Sequence, residues 1–319
     1  MKTKDAVLNM LVNNTDKYIS GEGLANELGL SRSSVWKAVE ELRTEGYRID
    51  SVTRRGYRLS PENDVLSVEG IRREILSDHS MEKRKNAGEK VIPEIRLYRE
   101  LASTNLEAIR LITEAPTAEK EKLFNTVIIA ESQSAGRGHG KRRFFSPEGG
   151  LYLSVILNPE SFNGRVVSML ASMAVADIVE ELSGETTSFL WKNNILIGGK
   201  KTAGILTEQS MDLETGIVNG LVLGIGIRTD EWLKKGGNMK NRLAAALVRK
   251  SLGNWKNLPL ADYEKRLVGT GEKHTFISAE YNDGKPFTAR QEAYVKDGRL
   301  RIRPEDGHVI TLDRGSILC

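Results

Sequence analysis

The sequence predicts an α+β protein assembled from three folding patterns, and three observations lead there. Residues up to about 62 show helical spacing interrupted by a glycine and a capping serine. The middle of the chain alternates β-branched runs and short turns with long amphipathic stretches. Residues 269–319 carry short alternating runs punctuated by "NDG", "KDG" and "EDG". With 319 residues and 39% hydrophobic content, the chain can bury several cores. Its single cysteine is Cys319, which excludes an internal disulfide framework and a cysteine-built metal site and fits a reducing setting. "MKTKDAVLNMLVNNTDK" lacks the apolar core of a signal peptide, and no apolar run approaches a membrane span. A soluble, cytoplasmic protein without a membrane partner is expected. The net charge of +4 comes from 47 basic and 43 acidic residues, so charge permits an anionic partner without naming one.

The first module spans 1–62. "DAVLNMLVNN" is amphipathic, a short helix then ends at Gly29, and Ser31 caps the next. Along that helix Val35, Ala38, Val39 and Leu42 recur at core spacing, leaving Arg32, Ser33, Trp36 and Lys37 nearer the outer face. "YRIDSV" and "RRGYRLS" follow as two strands, with Arg54 and Arg55 at their turn. This arrangement resembles the winged helix-turn-helix family, which implies operator DNA as partner and contacts from Ser31, Arg32, Ser33, Trp36, Lys37, Arg54 and Arg55. A three-helix packing module with a solvated hairpin is the alternative.

Residues 63–94, with the charged stretch "SDHSMEKRKNAGEKVIPE", read as a linker, or as a helix end plus loop. A second domain is expected over 95–268. In order it offers "EIRLYREL", the helix "TNLEAIRLITE", the strand "NTVIIA", a glycine loop, the strand "LYLSVIL", the helix "VVSMLASMAVADIVEEL", then "TSFLWKNNILIGGKKTAGILTEQS" and "IVNGLVLGIGI". Short turns such as "IGGK" imply a mixed or antiparallel sheet with helices on one side. Residues 269–319 read as a small β-barrel.

Two stretches carry candidate chemistry. "GRGHGKR" offers glycines that let backbone approach closely, exposed N–H groups and a guanidinium that clamps phosphate or carboxylate, although a solvated turn has the same composition. "WKNNILIGGKKTAGIL" brings Lys200 and Lys201 into a strand, where one must point inward and spacing does not choose which.

Taken together, "STN", "ESQSAGRG", "FFSP", "GGLYLS", "WKNNILIGGKKTAGIL" and "LGIGI", in that order, are similar to the motifs of biotin–protein ligases. With both flanking domains, nearly the whole chain resembles the bifunctional form, biotin–[acetyl-CoA-carboxylase] ligase and biotin operon repressor. The resemblance implies a class II synthetase-like central sheet and an SH3-like C-terminal barrel. It implies that biotin and ATP, with Mg²⁺, form biotinoyl-5′-adenylate, and that a lysine of a biotin carboxyl carrier domain then takes the biotin. It assigns biotin to Ser103, Thr104, Asn105, Gln133, Gly136, Arg137, Gly138, His139 and Lys201, with Arg137 and Lys201 catalytic. It assigns the nucleotide to Phe144, Asn193, Asn194 and Arg228, and a homodimer to the adenylate-bound state. No side-chain metal cluster is expected.

The chain departs from that pattern on the nucleotide side. His139 stands where the family has arginine, Phe144 where it has tryptophan, Leu190 for lysine, Asn194 for aspartate and Arg228 for asparagine. Two readings follow: an active ligase that also represses transcription, and a biotin-sensing repressor whose ligase activity has weakened or been lost.

Overall fold

The computed structural model describes residues 3–15, 17–77, 92–139, 142–161, 166–230, 232–233, 237–252, 260–295 and 298–318. They divide into two units, Met1–Ile92 with Leu233–Ala246, and Pro93–Trp232 with Leu247–Cys319.

In the first unit α1 (Thr3–Asn13) buries Val7, Leu8, Leu11 and Val12. Ser20 Oγ accepts from Gly23 N to start α2 (Gly21–Leu28), which stops at Gly29 in the left-handed region. Ser31 caps α3 (Arg32–Thr44), whose buried residues are Val35, Ala38, Val39 and Leu42, the spacing read from sequence. β1 (Ile49–Val52) and β2 (Gly56–Leu59) pair antiparallel from Ile49↔Leu59 to Val52↔Gly56. A bridge between Ile19 and Tyr57 ties this wing to the chain before α2.

The stretch 63–94, read from sequence as a linker or as a helix end plus loop, contains a helix, α4 (Val68–Leu76). Ser67 caps it, and Ile71 and Ile75, one turn apart, are fully buried, which is enough apolar face to dock a short helix. Residues 78–91 of the expected linker lie outside the described residues. Leu233–Ala246, within the stretch 95–268, groups with this first unit. Asn241 accounts for that: its Oδ1 accepts from Ser67 N at 2.9 Å and its Nδ2 donates to Val65 O at 2.8 Å.

The second unit opens with β3 (Ile95–Leu101), α5 (Thr104–Glu114), a 3₁₀ turn (Thr117–Leu123) and β4 (Val127–Gln133). β5 (Leu151–Leu157), α6 (Val167–Ser183), β6 (Thr187–Leu190), β7 (Asn194–Ile197), β8 (Lys200–Met211) and β9 (Val218–Ile227) follow. The seven strands run in the order β3-β4-β5-β9-β8-β7-β6, parallel only between β3 and β4. Helices cover both faces rather than the one face expected. Val222 packs with Ala108 and Ile112 of α5, while its neighbours Leu223 and Ile225 point to Ala171, Ala174 and Ile178 of α6. Alternation along a strand sends adjacent side chains to opposite faces, so a strand buried at Leu221, Val222, Leu223 and Ile225 needs a layer on each.

After α7 (Met239–Leu252) and α8 (Leu260–Arg266) come β10 (Lys273–Ile277), β11 (Phe287–Tyr294), β12 (Leu300–Pro304), β13 (Ile310–Leu312) and β14 (Ser316–Ile317). These five strands form an antiparallel sheet in the order β13-β12-β11-β10-β14. Its core of Phe276, Ala289, Leu300, Ile302, Leu312 and Ile317 receives Trp191 from the turn after β6. Trp191 is fully buried and donates from Nε1 to Gly298 O at 3.2 Å.

Gly56 has φ of 101°, and a Cβ there would lie 2.0 Å from Ile19 O. Gly56→Ala is therefore expected to open the Ile19–Tyr57 bridge at a cost of about 2 kcal/mol. Hydrogen exchange of the Ile19 and Tyr57 amides should accelerate roughly thirtyfold, and unchanged protection would refute this account of the wing.

Candidate functional site

The site depends on glycines at facing positions of β8 and β9. Gly204 pairs with Gly226, and the Phe144 ring lies over both: a Cβ on Gly226 would sit 2.4 Å from Phe144 Cε1. On Gly224 it would meet Asn105 Oδ1 at 2.2 Å. Bare backbone at these positions lets a loop and the first turn of α5 lie close on the sheet.

Between them opens a cavity of about 360 Å³. Its lining includes Ser103, Thr104 and Asn105 from the start of α5, Gln133 from the end of β4, Arg137, Gly138, His139 and Phe144 from the glycine loop, Asn193 and Asn194 from the turn into β7, and Lys201 from β8. Lys200, one residue earlier, is exposed and outside the lining, so strand alternation settles which of the pair points inward. Gly136 is buried beside the lining. Arg228 lies outside it. Arg228 comes one residue past the end of β9, where its N–H donates to Thr202 O and its carbonyl accepts from Trp232 Nε1, and its charge is felt at Tyr152 instead. Burial, with Asp230, pushes the Tyr152 hydroxyl up to about 12, and Arg228 opposes that rise.

The glycine loop is folded back on itself. Gln133 N donates to Ser146 O at 2.9 Å, Phe144 N to Gly136 O at 2.8 Å and Gly138 N to Arg142 O at 2.8 Å. Phe144 points inward, edge-on to Tyr152 at 6.4 Å and with Lys201 Nζ 5.5 Å from its ring centre, while Phe145 is exposed. His139 is held below the usual imidazole value by burial first and then by Arg142, Lys192 and Arg314.

A polar network runs along one wall of the cavity. Gln133 Oε1 accepts from Thr104 N at 2.8 Å, and Gln133 Nε2 donates to Ser146 Oγ at 2.9 Å. Ser154 Oγ lies 2.7 Å from Thr104 Oγ1 and donates to Asn105 Oδ1 at 2.6 Å. Asn105 Nδ2 donates to Glu208 Oε2 at 2.8 Å, and Glu208 Oε1 pairs with Arg137 at 2.8 Å. Ser146, Ser154 and Glu208 were not among the residues singled out from sequence. Ser154 could have been found as the only hydroxyl in the strand "LYLSVIL" besides a tyrosine, because a buried polar group needs a partner. Glu208, an acid within the strand "AGILTEQS", carries the same kind of signal.

Among the described residues no group of three or more His, Cys, Asp and Glu is placed to hold a metal ion. Asn194 brings no carboxylate, and Glu208 is engaged by Arg137 and Asn105. The donor set therefore does not fit a protein-held Mg²⁺.

In the first unit, Ser31 Oγ accepts from Ser34 N at 3.1 Å and lies 2.8 Å from Ser33 Oγ. Arg32 is ion-paired with Glu22 of α2. Ser33, Trp36 and Lys37 are exposed along the first turns of α3. Arg54, at φ 68°, forms the tip of the wing, and the guanidinium groups of Arg55 and Arg58 lie 4.5 and 4.6 Å from the Tyr18 ring centre.

Residues 109–227 match the model of the Biotin/lipoate A/B protein ligase family, and residues 3–58 match an HTH domain. The chain is 34% identical over 223 residues to the bifunctional ligase/repressor BirA of Bacillus subtilis, an alignment covering 68% of this chain and 62% of that protein. It is 29% identical to the Escherichia coli protein of the same name, over 73% of this chain and 71% of the relative. A biotin protein ligase from Aquifex aeolicus, solved in complex with biotin and ATP, superposes with a TM-score of 0.53 at 23% identity over 71% of this chain and 98% of that one, a likeness of fold.

Ser154→Ala leaves Asn105 Oδ1 without its hydroxyl donor in a fully buried position. Denaturant unfolding should report a loss of about 1–3 kcal/mol, and no loss would mean that another donor serves Asn105.

Proposed function

We propose that the chain, whose residues 109–227 match the Biotin/lipoate A/B protein ligase family, is an ATP-dependent biotin–protein ligase that also acts as a biotin-responsive transcriptional repressor. The observation that supports this reading is the convergence of Ser103, Thr104, Asn105, Gln133, Arg137 and Lys201, from four separate segments, on one cavity. Biotin is neutral over most of its surface and carries one carboxylate, so it suits a cavity that combines a fixed polar network with the cations Arg137 and Lys201.

In the first step the biotin carboxylate oxygen attacks the α-phosphorus of ATP. The bond from that phosphorus to its bridging oxygen breaks, and pyrophosphate leaves with the electron pair. Two anions must meet, so the charges of Arg137 and Lys201 beside the reacting centre supply the main stabilisation. Phe144 offers a face to adenine, with Asn193 and Asn194 along the nucleotide. The loop from Gly136 to His139 shields the acyl-adenylate from water. In the second step the lysine amine of a carrier domain attacks the acyl carbon and AMP leaves. Any Mg²⁺ belongs to the nucleotide substrate rather than to the protein.

In the repressor role, Ser31, Arg32, Ser33, Trp36 and Lys37 approach a DNA groove while Arg54 and Arg55 reach the backbone beside it. Adenylate binding favours a homodimer that sets two such modules at operator spacing. No described helix is long and apolar enough to cross a membrane, and a cytoplasmic location completes the reading.

Purified protein given biotin and ATP should release pyrophosphate, and Lys201→Ala should slow release by roughly 10²–10³-fold while Lys200→Ala does not. Biotin binding without pyrophosphate release would select the sensor reading over the ligase. Affinity for a random-sequence DNA duplex should fall with salt, and Lys37→Ala and Arg55→Ala should each lower the salt slope by about one; unchanged slopes would remove these two residues from the DNA contact.

A further inference from the structure

In the first unit, Tyr18 is held beside the wing by the residues that follow it. Ile19 donates from N to Tyr57 O and accepts from Tyr57 N, both at 2.8 Å, and Ser20 caps α2 by accepting from Gly23 N at 2.9 Å. With both successors fixed, the Tyr18 ring stays between the strand pair and the start of α2. It is half-buried, and it carries two cations: the guanidinium carbons of Arg55 and Arg58 lie over it, 4.5 and 4.6 Å from its centre. That is contact distance for a guanidinium on an aromatic face, where the ring quadrupole attracts the charge.

The two arginines are held differently. Arg58 stands in β2 directly opposite Asp50 of β1, and its Nη2 donates to Asp50 Oδ2 at 2.7 Å, so its charge is answered within the wing. Arg55 comes from the turn, where its N–H donates to Val52 O at 3.0 Å, and it is exposed. Among the described residues no carboxylate pairs with Arg55. Stacking occupies the face of a guanidinium and leaves its in-plane N–H groups for an oxyanion, whereas a carboxylate partner would consume them.

We propose that Tyr18 is a positioning residue for DNA: its ring holds the Arg55 guanidinium ready to grip a backbone phosphate through two N–H groups, while Asp50 fixes Arg58 against the same ring. The inference rests on the DNA-binding reading and says how the wing performs it. An unsupported arginine gives up its rotamer freedom when it closes on a phosphate. One that is already stacked has given up much of that freedom on folding, so affinity rises without any added contact. The planar group is essential to this arrangement, because an ammonium offers a point charge with no face to lay on the ring and no fork to present. Tyr18 acts through Arg55 and makes no DNA contact of its own.

The test is a double-mutant cycle on the full chain, with binding to a random-sequence DNA duplex read by fluorescence anisotropy at low salt. Tyr18→Leu should weaken binding about three- to tenfold in the wild-type background. Where Arg55→Ala is already present the same change should cost no more than about twofold, because nothing is left to position. Tyr18→Phe, which keeps the ring, should recover most of what Tyr18→Leu loses. Arg55→Lys, which keeps the charge but not the planar stack, should weaken binding about as far as Tyr18→Leu while retaining the wild-type salt slope. Equal losses from Tyr18→Leu in the two backgrounds would show that the ring serves the fold of the wing or touches DNA itself, and would overturn the proposal. Wild-type affinity in Tyr18→Leu or in Arg55→Lys would overturn it too, and Arg55→Lys gives that answer even where Tyr18→Leu disturbs the wing. In each of these outcomes the wild-type chain still binds the duplex, so the DNA-binding reading stands. A wild-type chain with no salt-dependent affinity for the duplex sinks that reading and the proposal with it.

Discussion

The closeness with which loop and helix approach the central sheet is the constraint on which the site depends. At Gly204, Gly224 and Gly226 the sheet has no side chains, so the Phe144 ring and the Asn105 amide lie almost on the backbone. Everything else follows from that depth. Asn105 can reach Glu208, Glu208 can reach Arg137, and Gln133 can join Thr104 to the returning end of the glycine loop at Ser146. Methyl groups at these positions would lift both elements, and the network that orients the cavity would lose its reach.

The second constraint is the burial of Trp191 in the C-terminal sheet. The turn that carries Lys192, Asn193 and Asn194 is held on one side by that indole and by Ile317 N donating to Trp191 O, and on the other by Ile205 N donating to Asn193 O. The C-terminal strands are thereby part of the site, to which they also contribute Leu318 and, in the adjoining cavity, Arg314. A small antiparallel sheet at the end of the chain positions polar residues more than a hundred positions earlier.

Electrostatically the two cavities differ. In the first, Arg137 is balanced by Glu208, so its charge is directed and partly neutralised. In the polar cavity beside it, burial first and then Arg142, Lys192 and Arg314 hold His139 below the usual imidazole value.

Local elements and much of the motif content are legible in the amino-acid order. Helical spacing located α3 and its buried Val35, Ala38, Val39 and Leu42, and β-branched runs located β4 and β5, because these signals are written in neighbouring residues. Ordered motifs marked Ser103, Thr104, Asn105, Gln133, Arg137 and Lys201, which the fold gathers on one cavity. The remainder emerged from packing. It separated Lys201 from Lys200, turned Phe144 inward while Phe145 faces solvent, and left Arg228 off the cavity. It revealed Ser154 and Glu208 as the residues that hold Asn105, and it made a helix of Val68–Leu76 by giving Ile71 and Ile75 a surface to bury against. The physical reason is common to all of these. A side chain's direction and partners are set by what packs opposite it, and those partners lie tens to hundreds of residues away, beyond the reach of any local pattern.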